Sequence, residues 1–388
     1  MNSAVANSVL TDRPFHLLIN GRAVSGATSL PVINPATEQV LAVCARADSA
    51  QLHAAVQAAK AAFAAWSAVP LETRRAKLLA IADACEQRSE ELARLLTAEQ
   101  GKPLAHARGE VAGSIFFIRA LASFEMKPKV VAEDAGGRFV EHRAPLGVVA
   151  AITPWNFPIS LITVKAVPAL LAGNTLVAKP APTTPLTTLR YLEIFNEFLP
   201  PGACNVIVDN NDLGSELTAH PDVAKISFTG SSATGKKVMA SAAATLKRVT
   251  LELGGNDAAI VLDDVEPKTA AQRLFDGAMV NSGQVCLAIK RAYVPERHYD
   301  AICEELARLA DAAKVGDGMQ PDTEFGPIQN KMQFERVKSL IDDARRVGKI
   351  VAGGETFGPG YFVRPTIVRD LPDDARLVRE EQFGPVLP

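Results

Sequence analysis

The feature that most constrains the fold is an alternation of short apolar runs with helical patterns, which begins at Pro145. The apolar runs are rich in β-branched residues, and the segments between them repeat apolar residues at helical spacing. Strands that alternate with helices in this way form a parallel sheet covered by helices on both faces, so the sequence predicts the α/β class. The strand candidates are Leu146–Thr153, Asn174–Ala178, Asn205–Val208, Ala224–Phe228, Val249–Leu253 and Ala258–Leu262, and the helix candidates are Ser160–Leu171, Pro185–Phe198 and Ala233–Ala244.

Polar residues and glycines interrupt the apolar pattern where the predicted strands end. They are Trp155 and Asn156, then Lys179, then Thr229-Gly230-Ser231, and finally Glu252-Leu253-Gly254-Gly255. The carboxyl ends of parallel strands meet at one edge, where open α/β sheets bind their ligands. A functional site is therefore predicted at that edge of the sheet.

The composition argues against several other classes of protein. The 388 residues have a net charge of -2, which provides no basic surface for nucleic acid or for an anionic membrane. No apolar run approaches the roughly 20 residues of a membrane helix, and Met1–Phe15 lacks the basic and apolar regions of a signal peptide. The chain has five cysteines and six histidines, which form no Cys-x-x-Cys pair and do not recur at the spacing of metal ligands. We expect a cytoplasmic protein with no disulfide and no metal.

The chain before Pro145 is mostly helical in pattern. Ala47–Trp66, Leu71–Gln100 and Gly109–Glu125 each predict a helix, and Leu17–Val32 predicts a short hairpin. Met126–Arg143 is different, because two short β-like runs flank a pair of glycines. It predicts a hairpin that projects from the main body and that can serve as an oligomer contact.

One cysteine lies in a sequence context that can support catalysis. Cys286 ends the segment Asn281-Ser282-Gly283-Gln284-Val285, and Lys290 and Arg291 follow within a turn or two. A thiolate is the strongest side-chain nucleophile near neutral pH, provided that its pKa is lowered or its proton is removed. Most free cysteines are instead small buried hydrophobes. This stretch alone leaves both interpretations open.

The segment Ile226–Lys237 predicts a strand, a tight loop and the start of a helix, where backbone N–H groups suit a phosphate. Gly230 and Gly235-Lys236 have the spacing of a P-loop, but Lys237 stands where that motif needs a hydroxyl for magnesium. The segment also lacks the G-x-G-x-x-G fingerprint of a standard dinucleotide site. A variant dinucleotide site and an ordinary helix N-terminus both remain open.

Motifs along nearly the whole chain resemble those of the aldehyde dehydrogenase superfamily, in the order that the family has them. They are Thr153-Pro154-Trp155-Asn156-Phe157-Pro158 (T-P-W-N-F-P), Gly173-Asn174-Thr175 through Lys179-Pro180 (G-N-T-x-x-x-K-P), Phe228-Thr229-Gly230-Ser231 (F-T-G-S), Glu252-Leu253-Gly254-Gly255 (E-L-G-G), Gly283-Gln284-Val285-Cys286 (G-Q-x-C) and Glu380-Glu381-Gln382-Phe383-Gly384-Pro385-Val386 (E-E-x-F-G-P-V). The resemblance implies NAD(P)-dependent, non-acylating oxidation of a small or aromatic aldehyde to a carboxylic acid.

The resemblance also implies catalytic roles for individual residues. Cys286 would attack the aldehyde and form a thiohemiacetal, which becomes a thioester after hydride transfer. The side-chain amide of Asn156 and the backbone N–H of Cys286 would stabilise the oxyanion. Glu252 would activate the water that hydrolyses the thioester. Lys165 matches a family lysine associated with the proton path, although a solvated helix lysine is an equally good interpretation.

Cofactor roles follow from the same resemblance. Lys179 would lie near the adenosine ribose, Gly230 and Ser231 at the pyrophosphate, and Trp155 along the cofactor channel. Gly254 belongs to the same site, and Glu381 and Phe383 would lie at the nicotinamide ribose. Pro182 occupies the position where many NAD-preferring members have an acidic residue that binds the ribose hydroxyls. The expected cofactor is NAD, and NADP is possible because no carboxylate at this position repels a 2′-phosphate.

The implied architecture is a Rossmann-like parallel-sheet cofactor domain, a second α/β catalytic domain and a projecting β-hairpin for oligomerisation. The predicted cofactor domain comprises residues 1–125 and 144–253, the hairpin 126–143, and the catalytic domain 254–388. Family members usually continue for tens of residues beyond the E-E-x-F-G-P-V motif, so we expect the catalytic domain to be C-terminally incomplete. A homo-dimer or homo-tetramer is implied, on condition that the tail is not required.

Two other functions compete with the dehydrogenase. A cysteine-dependent esterase or acyl transferase would need Cys286 but not the glycine loop at Gly230, and the sequence places no histidine beside Cys286. A catalytically impaired chain that only binds nucleotide is the second alternative, because the family's C-terminal segment contributes to the substrate pocket. Turnover with an aldehyde and a nicotinamide cofactor distinguishes both alternatives from the dehydrogenase.

Overall fold

A computed structural model of the chain describes residues 12–388. Residues 1–11, which belong to the predicted cofactor domain and to the Met1–Phe15 segment, lie outside the described residues. The helices are α1 Ser49–Ser67, α2 Leu71–Gln87, α3 Ser89–Gln100, α4 Leu104–Ala122, α5 Pro158–Leu171, α6 Pro185–Phe198, α7 Gly214–Ala219, α8 Ser232–Ala243, α9 Pro267–Met279, α10 Glu296–Ala312, α11 Lys331–Val347 and α12 Arg376–Arg379, with a 3₁₀ turn at Val280–Gly283.

The strands fall into one large sheet and several smaller ones. They are β1 Leu17–Ile19, β2 Arg22–Val24, β3 Thr28–Ile33, β4 Val40–Arg46, β5 Lys129–Asp134, β6 Gly137–Glu141, β7 Val148–Ile152, β8 Thr175–Lys179, β9 Cys204–Val206, β10 Val223–Thr229, β11 Arg248–Glu252, β12 Ala258–Ile260, β13 Arg291–Tyr293, β14 Lys349–Ala352, β15 Thr356–Phe357, β16 Phe362–Val363, β17 Thr366–Arg369 and β18 Val386–Leu387.

The large sheet confirms the predicted α/β class and the Rossmann-like domain. Its seven strands have the order β11-β10-β7-β8-β9-β1-β2. The first five run parallel, and β1 pairs antiparallel with both β9 and β2. Every residue of β7, β8 and β9 is buried, as expected for strands with helices on both faces. The carboxyl ends of β7, β10 and β11 therefore form one edge.

The C-terminal part of the chain contains a two-stranded sheet of β12 and β13 and a three-stranded sheet of β14, β17 and β18. β12 pairs parallel with β13, and β17 lies between β14 and β18. A hydrogen bond from the Ala292 N–H to the Pro388 carbonyl joins β13 to the end of β18. The large apolar core contains residues from Phe15 to Ala242, whereas two smaller cores lie within 271–387. The domain boundaries given above remain predictions.

Two details of the N-terminal region differ from the sequence-based expectation. The pattern at Leu71–Gln100 is not one helix, because the chain breaks at Arg88 (φ -106°, ψ 13°) into α2 and α3. The hairpin predicted within Leu17–Val32 exists as β1 and β2, but β3 pairs with β4, a strand that the sequence analysis did not identify. Between the buried Cys85 of α2 and the buried Leu92 of α3, the residues 86–91 are all polar, and this gap in the apolar pattern marks the break.

The predicted projecting hairpin is present as β5 and β6. The two strands pair antiparallel, and every one of their residues is exposed. Val131 and Phe139 are each 63% exposed, which is unusual for large apolar side chains in strands.

Among the helices of residues 12–388, none has the length and apolarity that a membrane span requires.

Candidate active site

A cleft of about 540 Å³ lies at the carboxyl edge of the large sheet. It brings together most of the site residues predicted from the sequence. Those that line it are Trp155, Asn156, Gly230, Ser231, Gly254, Cys286, Glu381 and Phe383. Glu252, Lys165 and Lys179 do not line the cleft itself, although each belongs to an element that ends at or packs under this edge.

The loop that carries Cys286 has an unusual backbone conformation. Asn281, Ser282 and Gly283 have φ values of 50°, 54° and 72°, so three consecutive residues are left-handed. A Cβ atom on Gly283 would lie 2.1 Å from the carbonyl oxygen of Gly384. The cysteine loop is therefore locked against the chain of the Phe383 motif, and only glycine fits at position 283.

We expect Gly283→Ala to destabilise the protein and to misplace Cys286. The new methyl group meets a backbone carbonyl and adopts a disfavoured φ, which costs roughly 1–3 kcal/mol or more. Thermal unfolding should show a lower midpoint, and turnover should fall further than stability alone explains. Gly109→Ala is the matched control, because nothing lies within 4 Å of a Cβ there, and its α4 site should tolerate alanine. Equal midpoints for the two variants would contradict this account.

Asn156 is fixed in the wall of the cleft by hydrogen bonds from its side chain and to its backbone carbonyl. Its Nδ2 donates to the Gln284 carbonyl at 2.9 Å, which joins it directly to the cysteine loop. Its backbone carbonyl accepts from Lys102 Nζ at 3.0 Å and from Asn281 Nδ2 at 3.1 Å. The Asn156 amide has a second N–H that is free for another acceptor. Asn156 can therefore donate to a substrate oxygen near Cys286 while it stays fixed.

A buried ion pair that the sequence analysis did not identify supports this loop. Lys102 Nζ lies 2.5 Å from Glu110 Oε2, and both side chains are 1% exposed. Glu110 Oε1 accepts from the N–H groups of Ile159 and Ser160, at the start of α5. Burial lowers the pKa of Lys102, and the Glu110 carboxylate opposes that shift.

Glu252 and Lys165 lie under the same edge of the sheet. Glu252 is exposed at the end of β11, where it pairs in register with Thr229 of β10. Lys165 is 4% exposed, and its Nζ lies 3.4 Å from Ser227 Oγ. Burial lowers the pKa of Lys165 to about 8, and the charge of Glu252 opposes that shift. Lys165 is therefore not the solvated helix lysine that the sequence had left open.

Lys179 has a partner that sequence reasoning did not find. Its Nζ lies 2.5 Å from Asp209 Oδ1, and the two side chains are 6% and 0% exposed. Asp209 Oδ2 also accepts from the Leu213 N–H at 2.9 Å. The buried carboxylate thus compensates the charge of Lys179 at the end of β8.

The glycine loop leads into a helix whose first turn is open to an anion. Ser231 caps α8, because its side chain accepts from the Thr234 N–H at 3.2 Å. The N–H groups of Ser232 and Ala233 have no acceptor within the helix, as at any helix start. A Cβ on Gly230 would lie 2.6 Å from the Phe228 ring. The loop therefore fits the phosphates of a dinucleotide, by backbone N–H groups and the helix dipole.

Two residues of the E-E-x-F-G-P-V motif, Glu381 and Phe383, also line the cleft. Phe383 has a φ of 51° and packs edge-on against Trp155, with ring centroids 5.4 Å apart. Glu381 Oε1 accepts from the Gly255 N–H at 3.3 Å, and its carboxylate fills the space in front of Gly254. Burial raises the pKa of Glu381. The cleft is therefore lined by an aromatic pair and a carboxylate.

The structure adds cleft residues from α11 that the sequence did not single out. Met332, Gln333 and Arg336 line the cleft. Gln333 Nε2 donates to the carbonyl of Gln382 at 2.8 Å, and Arg336 Nη2 donates to the carbonyl of Glu381 at 3.0 Å. The sequence of α11 has the pattern of an ordinary amphipathic helix, so it contains no signal for this role.

Residues 12–388 contain no cluster of three or more potential metal-ligating side chains.

The chain is similar in sequence and structure to known proteins. The profile of the Aldehyde dehydrogenase family matches residues 23–388. A "Probable aldehyde dehydrogenase" of Pseudomonas sp is 46% identical over 96% of this chain and 77% of its own length. The "Succinate-semialdehyde dehydrogenase [NADP(+)]" of Escherichia coli is 37% identical over 96% of this chain and 79% of its own length. The structure of an NAD+ complex of aldehyde dehydrogenase from Bacillus cereus superposes with a TM-score of 0.95 at 35% identity, over 100% of this chain and 81% of that one.

Proposed function

The chain belongs to the aldehyde dehydrogenase family, and on that premise we propose that Cys286 is its nucleophile, Asn156 an oxyanion donor and Glu252 the base that activates water. The protein oxidises an aldehyde to a carboxylic acid and uses NAD or NADP. The observation that supports the roles of Cys286 and Asn156 is the cleft that both residues line together with Gly230 and Ser231.

The first step joins the substrate to the cysteine. Cys286 reacts as the thiolate, after its proton has passed to solvent: Sγ attacks the carbonyl carbon, and the carbonyl π electrons move onto oxygen to give the oxyanion of a thiohemiacetal. The second N–H of Asn156 and the backbone N–H of Cys286 donate to that oxygen. The chemistry that the bound cofactor supplies is acceptance of a hydride from the thiohemiacetal carbon, which leaves a thioester on Cys286. Hydrolysis then needs water and a base.

Glu252 is the proposed base for hydrolysis, and Lys165 the group that takes the proton onward. Glu252 lies at the end of β11 and is accessible to water. Lys165 has a pKa of about 8, so it can gain or lose a proton near neutral pH. The charges of the two side chains act on each other, which supports a path from Glu252 to Lys165.

The proposed cofactor contacts are Ser231 and Gly230 at the pyrophosphate, Lys179 at the adenosine ribose, Trp155 along the cofactor channel, and Glu381 and Phe383 at the nicotinamide ribose, with Gly254 in the same site. NAD is the proposed preference. The charge of Lys179 is compensated by Asp209, so Lys179 offers little extra attraction for a 2′-phosphate. The proposed substrates are small, aromatic and semialdehyde compounds, the last because the Escherichia coli relative is a succinate-semialdehyde dehydrogenase.

The oligomeric state and the location in the cell are proposals too. A homo-dimer or homo-tetramer is supported by the exposed apolar residues of the hairpin β5–β6, such as Val131 and Phe139. A cytoplasmic location is supported by the free thiols of the described residues, Cys44, Cys85, Cys204, Cys286 and Cys303. Size-exclusion chromatography with light scattering measures the first of these directly.

The function is tested by turnover with a panel of aliphatic, semialdehyde and aromatic aldehydes, each with NAD and with NADP. The appearance of reduced nicotinamide is followed by absorbance. We expect turnover with at least one pair, and Asn156→Ala should lower kcat by roughly 10²–10³-fold because one oxyanion donor is lost. Cofactor binding by the variant, measured by fluorescence, should be nearly unchanged. A folded parent protein without turnover on any pair would refute the proposal, and an unchanged kcat in Asn156→Ala would refute the role of Asn156.

A further inference from the structure

A buried ammonium group lies directly beneath the cysteine loop. Lys290 is 2% exposed, and its Nζ donates to the carbonyl of Val285 at 2.7 Å. The same Nζ donates to the carbonyl of Ala288 at 3.1 Å and lies 3.4 Å from that of Cys286. Gln382 Nε2 donates to the Lys290 carbonyl at 2.6 Å, which fixes the residue against the Phe383 motif. Lys290 thus binds the backbone that surrounds the nucleophile.

The shortest of these contacts involves the peptide that precedes the nucleophile. The Val285 carbonyl and the Cys286 N–H belong to the same planar peptide unit, and residues 12–388 contain no cis peptide bond. In a trans peptide the C=O and N–H bonds point in opposite directions. The ammonium on the carbonyl side therefore directs the Cys286 N–H away from Lys290. No protein acceptor within residues 12–388 takes that N–H.

The charge of Lys290 also changes the strength of that N–H as a donor. A cation on the carbonyl oxygen draws electrons from the whole peptide group, and linked hydrogen bonds strengthen one another in this way. The charges that face Lys290 are those of Glu381, whose Oε1 lies at 4.0 Å, together with Asp257 and Cys286. Burial lowers the pKa of Lys290, and these three groups oppose that shift.

We propose that Lys290 is a positioning residue for the reaction, which orients and polarises the Val285–Cys286 peptide so that the Cys286 N–H stabilises the oxyanion. The inference rests on the proposed role of Cys286. When Cys286 Sγ bonds to a carbonyl carbon, the π electron pair moves onto oxygen, and the Cys286 N–H donates to that oxygen. An alkylation that forms no oxyanion gains nothing from the same peptide. Lys290 should therefore affect the two kinds of reaction differently.

The test compares two reactions of Cys286 that need no cofactor. p-Nitrophenyl acetate acylates the thiolate through an oxyanion, which collapses and expels p-nitrophenolate. Iodoacetamide alkylates the thiolate by displacing iodide from a tetrahedral carbon, without an oxyanion. In Lys290→Met, we expect acylation to slow by roughly tenfold to a hundredfold, somewhat less than the loss of a whole oxyanion donor. Alkylation should slow far less than acylation, because it forms no oxyanion and loses only the attraction between the Lys290 charge and the thiolate.

Three further variants make the comparison specific. Lys290→Arg keeps a cation and should recover much of the acylation rate. Lys338→Met is the same substitution at an exposed position of α11 and should change neither reaction. If Lys290→Met does not fold, Lys290→Gln replaces it, because glutamine keeps N–H donors but has no charge. The readout is the same, the ratio of the acylation rate to the alkylation rate. Thermal unfolding of each variant identifies a loss that reflects folding alone.

Two results would overturn the inference. Equal slowing of both reactions would mean that Lys290 supports the thiolate or the packing of the loop rather than the oxyanion. An unchanged acylation rate in Lys290→Met would mean that the peptide is fixed without it. The proposed function fails in a different and recognisable way, since acylation that persists in Cys286→Ala would exclude Cys286 as the nucleophile whatever Lys290 does.

Discussion

Cys286→Ala is expected to abolish aldehyde oxidation, with a loss of kcat of roughly four orders of magnitude or more. Without the thiol, no covalent intermediate can form, and no other thiol in the described residues can replace it. Burial raises the pKa of Cys44, Cys85 and Cys204 to about 12, so these thiols stay protonated. Cys286 lies instead in the wall of the cleft. The measurement is absorbance of reduced nicotinamide with the best aldehyde of the panel.

The control for this prediction is Cys303→Ala, the same substitution elsewhere in the C-terminal part of the chain. Cys303 is 8% exposed and lies outside the cleft, so its loss should lower stability slightly and leave turnover in place. Cofactor binding in Cys286→Ala should also persist, because the helix start at Ser231 is intact. Retained turnover in Cys286→Ala would exclude the cysteine mechanism. Absence of turnover in the parent and both variants would favour a chain that only binds nucleotide.

The position of the site could be predicted because it depends on strand ends. Trp155 and Asn156 follow β7, Gly230 follows β10, and Glu252 closes β11. An apolar β-branched run reveals a buried parallel strand, and parallel strands end at the same edge. The family motifs then identified which of these residues have chemical roles. Cys286, by contrast, could be assigned only from its motif, since its backbone is neither helix nor strand.

The partners of the buried charges could not be predicted, because they depend on how several elements of the chain pack together. Lys179 meets Asp209, and Lys102 meets Glu110 and the Asn156 carbonyl. A lysine in the sequence is most often a solvated side chain, and only the packing of several elements makes it a buried one. Lys165 illustrates this well, since its sequence context allowed a solvated helix lysine and a buried proton carrier equally.

Glu252→Gln is the second substitution with a large expected effect, and it should block the reaction after the first turnover. Glutamine keeps the shape of the side chain but cannot take a proton from water, so the thioester on Cys286 should accumulate. A rapid burst of about one equivalent of reduced nicotinamide per active site should precede a steady rate that is roughly 10²–10⁴-fold lower than in the parent. Mass spectrometry should detect the acyl group on Cys286.

Glu304→Gln is the matched control for this substitution, since Glu304 is an exposed helix carboxylate outside the cleft and its loss should leave turnover unchanged. The size of the burst distinguishes two roles for Glu252, in hydrolysis of the thioester and in deprotonation of the thiol. A burst followed by arrest assigns Glu252 to hydrolysis, whereas a slow first turnover without a burst would assign it to deprotonation of the Cys286 thiol. Normal steady turnover would remove Glu252 from the mechanism. An added thiol can accept the acyl group in place of water. If it restores the steady rate in Glu252→Gln, hydrolysis is the only step that depends on this carboxylate. The residue at the end of β11 then determines whether water or a thiol accepts the acyl group.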